Sequence, residues 1–206
     1  MKWILTSLRK KGERVTHTQK LIQAAIGVLP LIGVAFILSS HSGASPSAAE
    51  LRFRDDCDPA SFNAAIGPGT CVGNGGTVLD KFIQELQQDK IAGAWRISPD
   101  NIGLDAGQPT MLVSRGGELH TFTRVQKFGG GIVEFLNQLS GNNEVAPECQ
   151  NLGNPAAATA GSTPLFPGAV IAGPTAASTA LPVGTTHFQC CIHPWMRTTI
   201  QVNSQH

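Results

Sequence analysis

Near the end of the chain a thiol, an imidazole and a thioether stand at fixed spacing. They are Cys190, His193 and Met196, within the run Phe188-Gln189-Cys190-Cys191-Ile192-His193-Pro194-Trp195-Met196-Arg197. Cys-x2-His-x2-Met sets three soft or borderline metal donors in one loop. Thiolate and thioether sulfur together with imidazole select copper, and a trigonal His2Cys set with a distant axial Met is the arrangement of copper electron-transfer sites. Structural zinc sites also accept cysteine and histidine, but they use four such ligands and no thioether. The fourth donor must come from elsewhere in the chain. His120 is the candidate, in the strand-like run Leu119-His120-Thr121-Phe122-Thr123 directly after Gly116-Gly117.

Cysteine pairing decides which thiol is free for a metal. Five cysteines, Cys57, Cys71, Cys149, Cys190 and Cys191, follow the N-terminal region. In an oxidising compartment an odd number leaves one for a reactive or metal-binding role. A Cys57–Cys71 bridge would close a loop of about 15 residues and contribute about 3 kcal/mol. Cys190 and Cys191 are neighbours, and side chains alternate across a strand, so the two cannot face one interior. One can bind metal while the other pairs with Cys149; alternatively Cys149 is a free buried thiol.

The elements that must position these residues are short. The chain has 206 residues, 41% hydrophobic and 14% charged, with 23 Gly and 13 Pro, a punctuation density that favours strands and loops over long helices. Strands are predicted over 95–97, 102–104, 110–114, 119–125, 185–191 and 198–202, with turns at Pro99-Asp100, Gly107-Gln108-Pro109 and Gly116-Gly117. Val78, Phe82, Ile83 and Leu86 are spaced for a short amphipathic helix over 77–90. One or two helical turns are expected at 133–139, after Gly129-Gly130-Gly131. That glycine run lacks the Lys-Ser/Thr of a phosphate loop; its expected work is to let backbone pass near the metal end. The Ala/Thr/Pro/Gly stretch 153–182 is expected to be mostly loop, despite apolar Leu165-Phe166 and Val170-Ile171.

The first 49 residues carry Lys2, Arg9, Lys10, Lys11, Arg14 and Lys20 against one Glu13, then an apolar run from Leu21 to Leu38 and Ser47-Ala48-Ala49 before Glu50. A basic start, an apolar stretch and a small-x-small tripeptide describe a secretory signal, or an uncleaved membrane anchor through residues 21–38. The expected organisation is a signal or anchor over 1–49, a disulfide-stapled extension with a short helix over 50–94, and a copper domain over 95–206. The exported part holds nine Lys and Arg against thirteen Asp and Glu, with no basic footprint for nucleic acid.

The segment 188–197 closely resembles the copper loop of type 1 (blue) copper proteins, the cupredoxins, and especially the short-loop members such as amicyanin; plastocyanin is similar. Phe188, Cys190, His193, Pro194, Trp195, Met196 and Arg197 match that loop position by position, and His120 matches the upstream histidine. The resemblance extends over about 95–203. It implies an all-β, cupredoxin-like Greek-key β-sandwich with a short N-terminal helix and a long loop-rich insertion. It also implies one type 1 copper ion on His120, Cys190, His193 and Met196, and one-electron exchange with a redox protein in the periplasm or outside the cell. By the same analogy His193 lies at the surface as the electron route, with Trp195 over its edge. Three departures stand out. The His120–Cys190 distance is long, with the excess in 126–182. Cys191 is unusual, and Thr121 replaces a frequent Asn. His187, three residues from Cys190, is expected on the opposite face as a surface histidine, like His17, His41 and His206. No Ser/His/Asp order, no paired carboxylates and no extra His-x-His motifs of a multicopper oxidase are present, so an electron carrier is expected rather than an enzyme. Copper storage, delivery or sensing on the same fold is the competing expectation, and a partner-binding domain with an incidental metal site is a third.

Overall fold

A computed structural model describes residues 47–150, 162–173 and 181–204. The signal or anchor reading of the N-terminal segment, and His17, His41 and His206, lie outside those residues. Among the described residues no helix is long and apolar enough to cross a membrane.

In chain order the elements are β1 (Ala49–Arg54), α1 (Pro59–Ala65), α2 (Leu79–Asp89), β2 (Arg96–Ser98), β3 (Asn101–Asp105), β4 (Thr110–Ser114), β5 (His120–Val125), α3 (Glu134–Ser140), a 3-10 turn (Pro147–Cys149), β6 (Ser162–Leu165), β7 (Val170–Gly173), β8 (Gly184–Gln189) and β9 (Arg197–Asn203). They form two mixed sheets of order β2-β1-β4-β7 and β3-β9-β8-β5-β6. The β1–β4 and β3–β9 pairs are parallel and the others antiparallel.

Period-two alternation decides which side of each strand is dry. On β1, Leu51 and Phe53 are buried and Arg52 is exposed; on β9, Thr198, Ile200 and Val202 are buried while Gln201 and Asn203 are exposed. The inward residues of the two sheets make one core in which Leu51, Phe53 and Leu112 meet Leu104, Phe122, Phe188, Ile200 and Val202. Phe53 meets Phe122 edge to face with centroids 5.8 Å apart, and Phe122 stacks on Phe188 at 4.1 Å. A β-sandwich results, as expected.

Three local readings differ. Residues 49–54 form a strand between β2 and β4. The stretch expected to be mostly loop contributes β6 and β7, which lie at one edge of each sheet. Edge position is what admits Pro164 in β6, because proline has no N–H to give a ladder. Val78 caps α2 and is 45% exposed, while Phe82 and Leu86, one turn apart, are buried and Ile83 packs partly buried beside them.

Cys190 and Cys191 fall on opposite faces of the second sheet. Cys190 lies in the main core with Phe188 and Met196. Cys191 lies in a smaller outer cluster with Val125, Ala146 and Cys149, against which Phe128 and Val145 pack. The bridges are Cys57–Cys71 and Cys149–Cys191, and Cys190 is free and buried.

Candidate metal centre

β5 and the β8–β9 connection carry the site. His120 opens β5, which pairs with β8, and the chain leaves β8 straight into Cys190. The loop that follows is closed by two backbone bonds, Met196 N–H to His193 carbonyl and Cys190 N–H to Met196 carbonyl, each 2.9 Å. Pro194 stiffens this turn and Arg197 fastens it. The Arg197 guanidinium donates to the Pro194 carbonyl at 2.7 Å and to Asn142 Oδ1 at 2.5 Å, and lies 5.0 Å from the Phe128 ring centroid. His120, Cys190 and Met196 are fully buried and His193 is 3% exposed.

The imidazoles converge on one sulfur. Nδ1 of His120 and Nδ1 of His193 each stand 3.9 Å from Cys190 Sγ. The three donor atoms all lie within 4.8 Å of one another. Bonds of about 2.0 Å to nitrogen and 2.3 Å to sulfur, as zinc makes with these donors, put trigonal N···S edges near 3.8 Å. The observed spacing suits three donors to one metal ion, and Met196, buried in the same core cluster as Cys190, would offer it a thioether. The chemistry of the set fits copper.

Charge is prearranged around the sulfur. Burial opposes a thiolate at Cys190, yet the two facing imidazoles hold this thiol well below its ordinary range. Two backbone N–H groups also point at the sulfur, from Thr121 at 3.4 Å and His193 at 3.5 Å. Burial likewise opposes an imidazolium at His120, but the Asp55 carboxylate and the Cys190 sulfur push it up to about 9. Asp55 Oδ2 stands 2.8 Å from His120 Nε2. Burial pushes the Glu118 carboxyl up despite the nearby His193 and the bond from Trp95.

Thr121 steadies the loop in its own way. Its hydroxyl oxygen accepts from Cys191 N–H at 2.8 Å, so one residue ties the start of the loop that carries both cysteines to β5. The glycine run does the expected work. A Cβ on Gly131 would fall 2.0 Å from the Cys191 carbonyl oxygen and one on Gly130 2.3 Å from that of Asn142. Ile132 N–H bonds that Cys191 carbonyl at 2.7 Å, so the segment after β5 lies directly on the loop. His187 lies off the site as expected, but it is half-buried against Phe128, with centroids 4.8 Å apart.

One expectation is corrected. His193 is not at the surface. α2 and the residues after it fold over this end: Phe82 meets the His193 ring edge-on at 6.5 Å, Trp195 at 5.5 Å, and Glu118 Oε2 stands 3.6 Å from Nε2. Behind them Phe62, Phe82 and Trp95 form a buried aromatic wall, with Phe82–Trp95 centroids 4.5 Å apart. Trp95 Nε1 donates to the Glu118 carboxylate at 2.5 Å, fixing that wall to the site.

Sequence reasoning also passed over Asp55 and Glu118. Nothing in their local pattern marks them. Asp55 reaches His120 across 65 residues of sequence, and only the pairing of β1 with β4 brings it there.

No family model matches the chain, and no curated protein matches it. Among solved structures it is similar to a purple cupredoxin from Nitrosopumilus maritimus, at 13% identity and TM-score 0.38, covering 75% of this chain and 99% of that one. It is also similar to dithionite-reduced auracyanin from Roseiflexus castenholzii, at 21% identity and TM-score 0.32, over 52% and 87% of the two chains. The plastocyanin of Dryopteris crassirhizoma gives 15% identity and TM-score 0.29 over 75% and 100%. Those superpositions are loose, and the reading of the site stands on its own geometry. The fold is a β-sandwich of two mixed sheets with few short helices, and it brings His120, Cys190 and His193 together, as the cupredoxin resemblance implies.

Proposed function

We propose that this chain holds one type 1 copper ion between His120, Cys190, His193 and Met196 and carries single electrons between redox proteins of the cell envelope. The observation that carries the reading is the convergence of two imidazole Nδ1 atoms on one buried free thiol, 3.9 Å from each. The ion would supply a one-electron couple. The protein's part is to keep both histidines and the thiolate in one arrangement suited to Cu(I) and Cu(II), and to exclude water. Export through residues 1–49, as a cleaved signal or alternatively with retention at a membrane through 21–38, belongs to the same proposal.

The test is copper loading of the fragment 50–206. One equivalent of Cu(II) is expected to give an intense visible thiolate-to-copper band that dithionite bleaches reversibly. Cys190→Ser should bind without that band. A colourless Cu(II) form of the unaltered protein overturns the reading.

Burial of His193 favours a second reading, copper storage or delivery without an electron-carrier role. At 3% exposure the imidazole offers no edge to a docking protein. Copper transfer to an apo-acceptor faster than electron exchange with a small redox reagent would decide for it.

A further inference from the structure

Behind His120 lies a carboxylate that neither the loop motif nor the four-ligand set includes. Asp55 follows β1, and its side chain is 1% exposed. One oxygen, Oδ2, faces His120 Nε2 at 2.8 Å and accepts the Glu118 N–H at 3.2 Å. The other, Oδ1, accepts the Gly117 N–H at 2.8 Å and the Cys57 N–H at 3.4 Å. Gly116 leaves the space for it, since a Cβ there would fall 1.8 Å from Oδ2. A carboxylate held by three backbone donors has little freedom left. It can accept from His120 only if that proton sits on Nε2, which leaves the Nδ1 lone pair aimed at the Cys190 side.

We propose that Asp55 is a positioning residue of the metal site. It fixes the His120 tautomer and ring plane, strengthens that imidazole as a donor, and biases the bound ion toward its more highly charged state. The inference rests on the copper reading above. Its physics is that of a carboxylate–histidine–metal triad, in which the outer carboxylate raises ligand basicity and its removal costs about 10–100-fold in metal affinity. A buried negative charge also favours Cu(II) over Cu(I) by simple Coulomb attraction. Glu118 differs: its oxygen is 3.6 Å from His193 Nε2, beyond hydrogen-bond length, and is bonded to Trp95 instead.

The experiment compares Cu(II) and Cu(I) affinities and the reduction potential of the unaltered full chain with Asp55→Asn. Asn has the size of Asp but no charge, and cannot accept from both His120 and Gly117. The ratio of Cu(II) to Cu(I) affinity is expected to fall about tenfold, which for a one-electron couple raises the potential by about 59 mV. An unchanged ratio overturns the inference. Because Asp55 also holds three backbone N–H groups, the variant could fail to fold. A second measurement therefore uses the unaltered protein loaded with Cu(I). Proton and nitrogen-15 NMR should find the His120 Nε2 proton shifted far downfield by a charge-assisted bond to the Asp55 carboxylate, and a resonance in the range of an ordinary imidazole N–H overturns the proposal. Absence of the thiolate band in the unaltered Cu(II) protein sinks the copper reading itself; a normal band with an unchanged ratio sinks only the role of Asp55.

Discussion

At the scale of single residues, Thr121 shows how one hydroxyl serves the site from outside it. Its oxygen is the acceptor for Cys191 N–H, buried under the outer cluster, while its own backbone N–H points at the Cys190 sulfur. Thr121→Val keeps the shape and the backbone donor but strands the Cys191 N–H. The expected cost is about 1–3 kcal/mol in denaturant melting, with the thiolate band retained. A variant as stable as the parent would show that the hydroxyl does not hold this loop. Cys190, His193 and Met196 were legible because they sit in one continuous loop, where spacing alone encodes geometry. His120 was legible by its place at the start of a strand after a Gly-Gly turn. Asp55 and Glu118 were not, since each acts across a distance that only tertiary pairing spans.

At the scale of elements, α2 is the part that changes what the site can do. Its apolar spacing announced a helix, and the observed span Leu79–Asp89 lies within the expected one. What it packs against was not announced, because an amphipathic face states that something is buried beneath it and not what. Here Phe82 lies over His193. Phe82→Ala should cost about 3–5 kcal/mol in thermal or chemical unfolding, by lost transfer energy and the cavity left behind. It should also speed reduction of the copper form by a small hydrophilic reagent, read by stopped-flow bleaching of the visible band. Stability lost with no gain in rate would mean that α2 does not gate access. β6 and β7 escaped sequence reasoning for a different cause. Four-residue edge strands such as Ser162–Leu165 and Val170–Gly173, broken by Pro164 and flanked by Ala, Thr and Gly, lack enough alternation to be told from loop. β1 is similar: Leu51 and Phe53 alternate with Arg52 and Arg54 over too few positions, beside a stretch that otherwise resembles an extension.

At the scale of the whole molecule, two disulfides bracket the core. Cys57–Cys71 closes the loop that holds α1, and Cys149–Cys191 pins the 3-10 turn after α3 to the residue beside Cys190. The second closes 42 residues, for which the chain-entropy account gives about 4 kcal/mol. The paired replacement Cys149→Ser with Cys191→Ser should lower stability by about that amount in denaturant melts under non-reducing conditions, and a loss under 1 kcal/mol would mean that the outer cluster holds without its bridge.

That bridge also bears on how the molecule is assembled. Three thiols, Cys149, Cys190 and Cys191, can form a single disulfide in three ways, and only one leaves Cys190 with an electron pair to share. The other two spend the donor sulfur irretrievably until an isomerase or a reductant frees it. Oxidation must therefore sort before the ion arrives, or the ion must arrive first and shield its sulfur from oxidants. Which of two adjacent cysteines enters the bridge therefore decides whether the site keeps its sulfur donor.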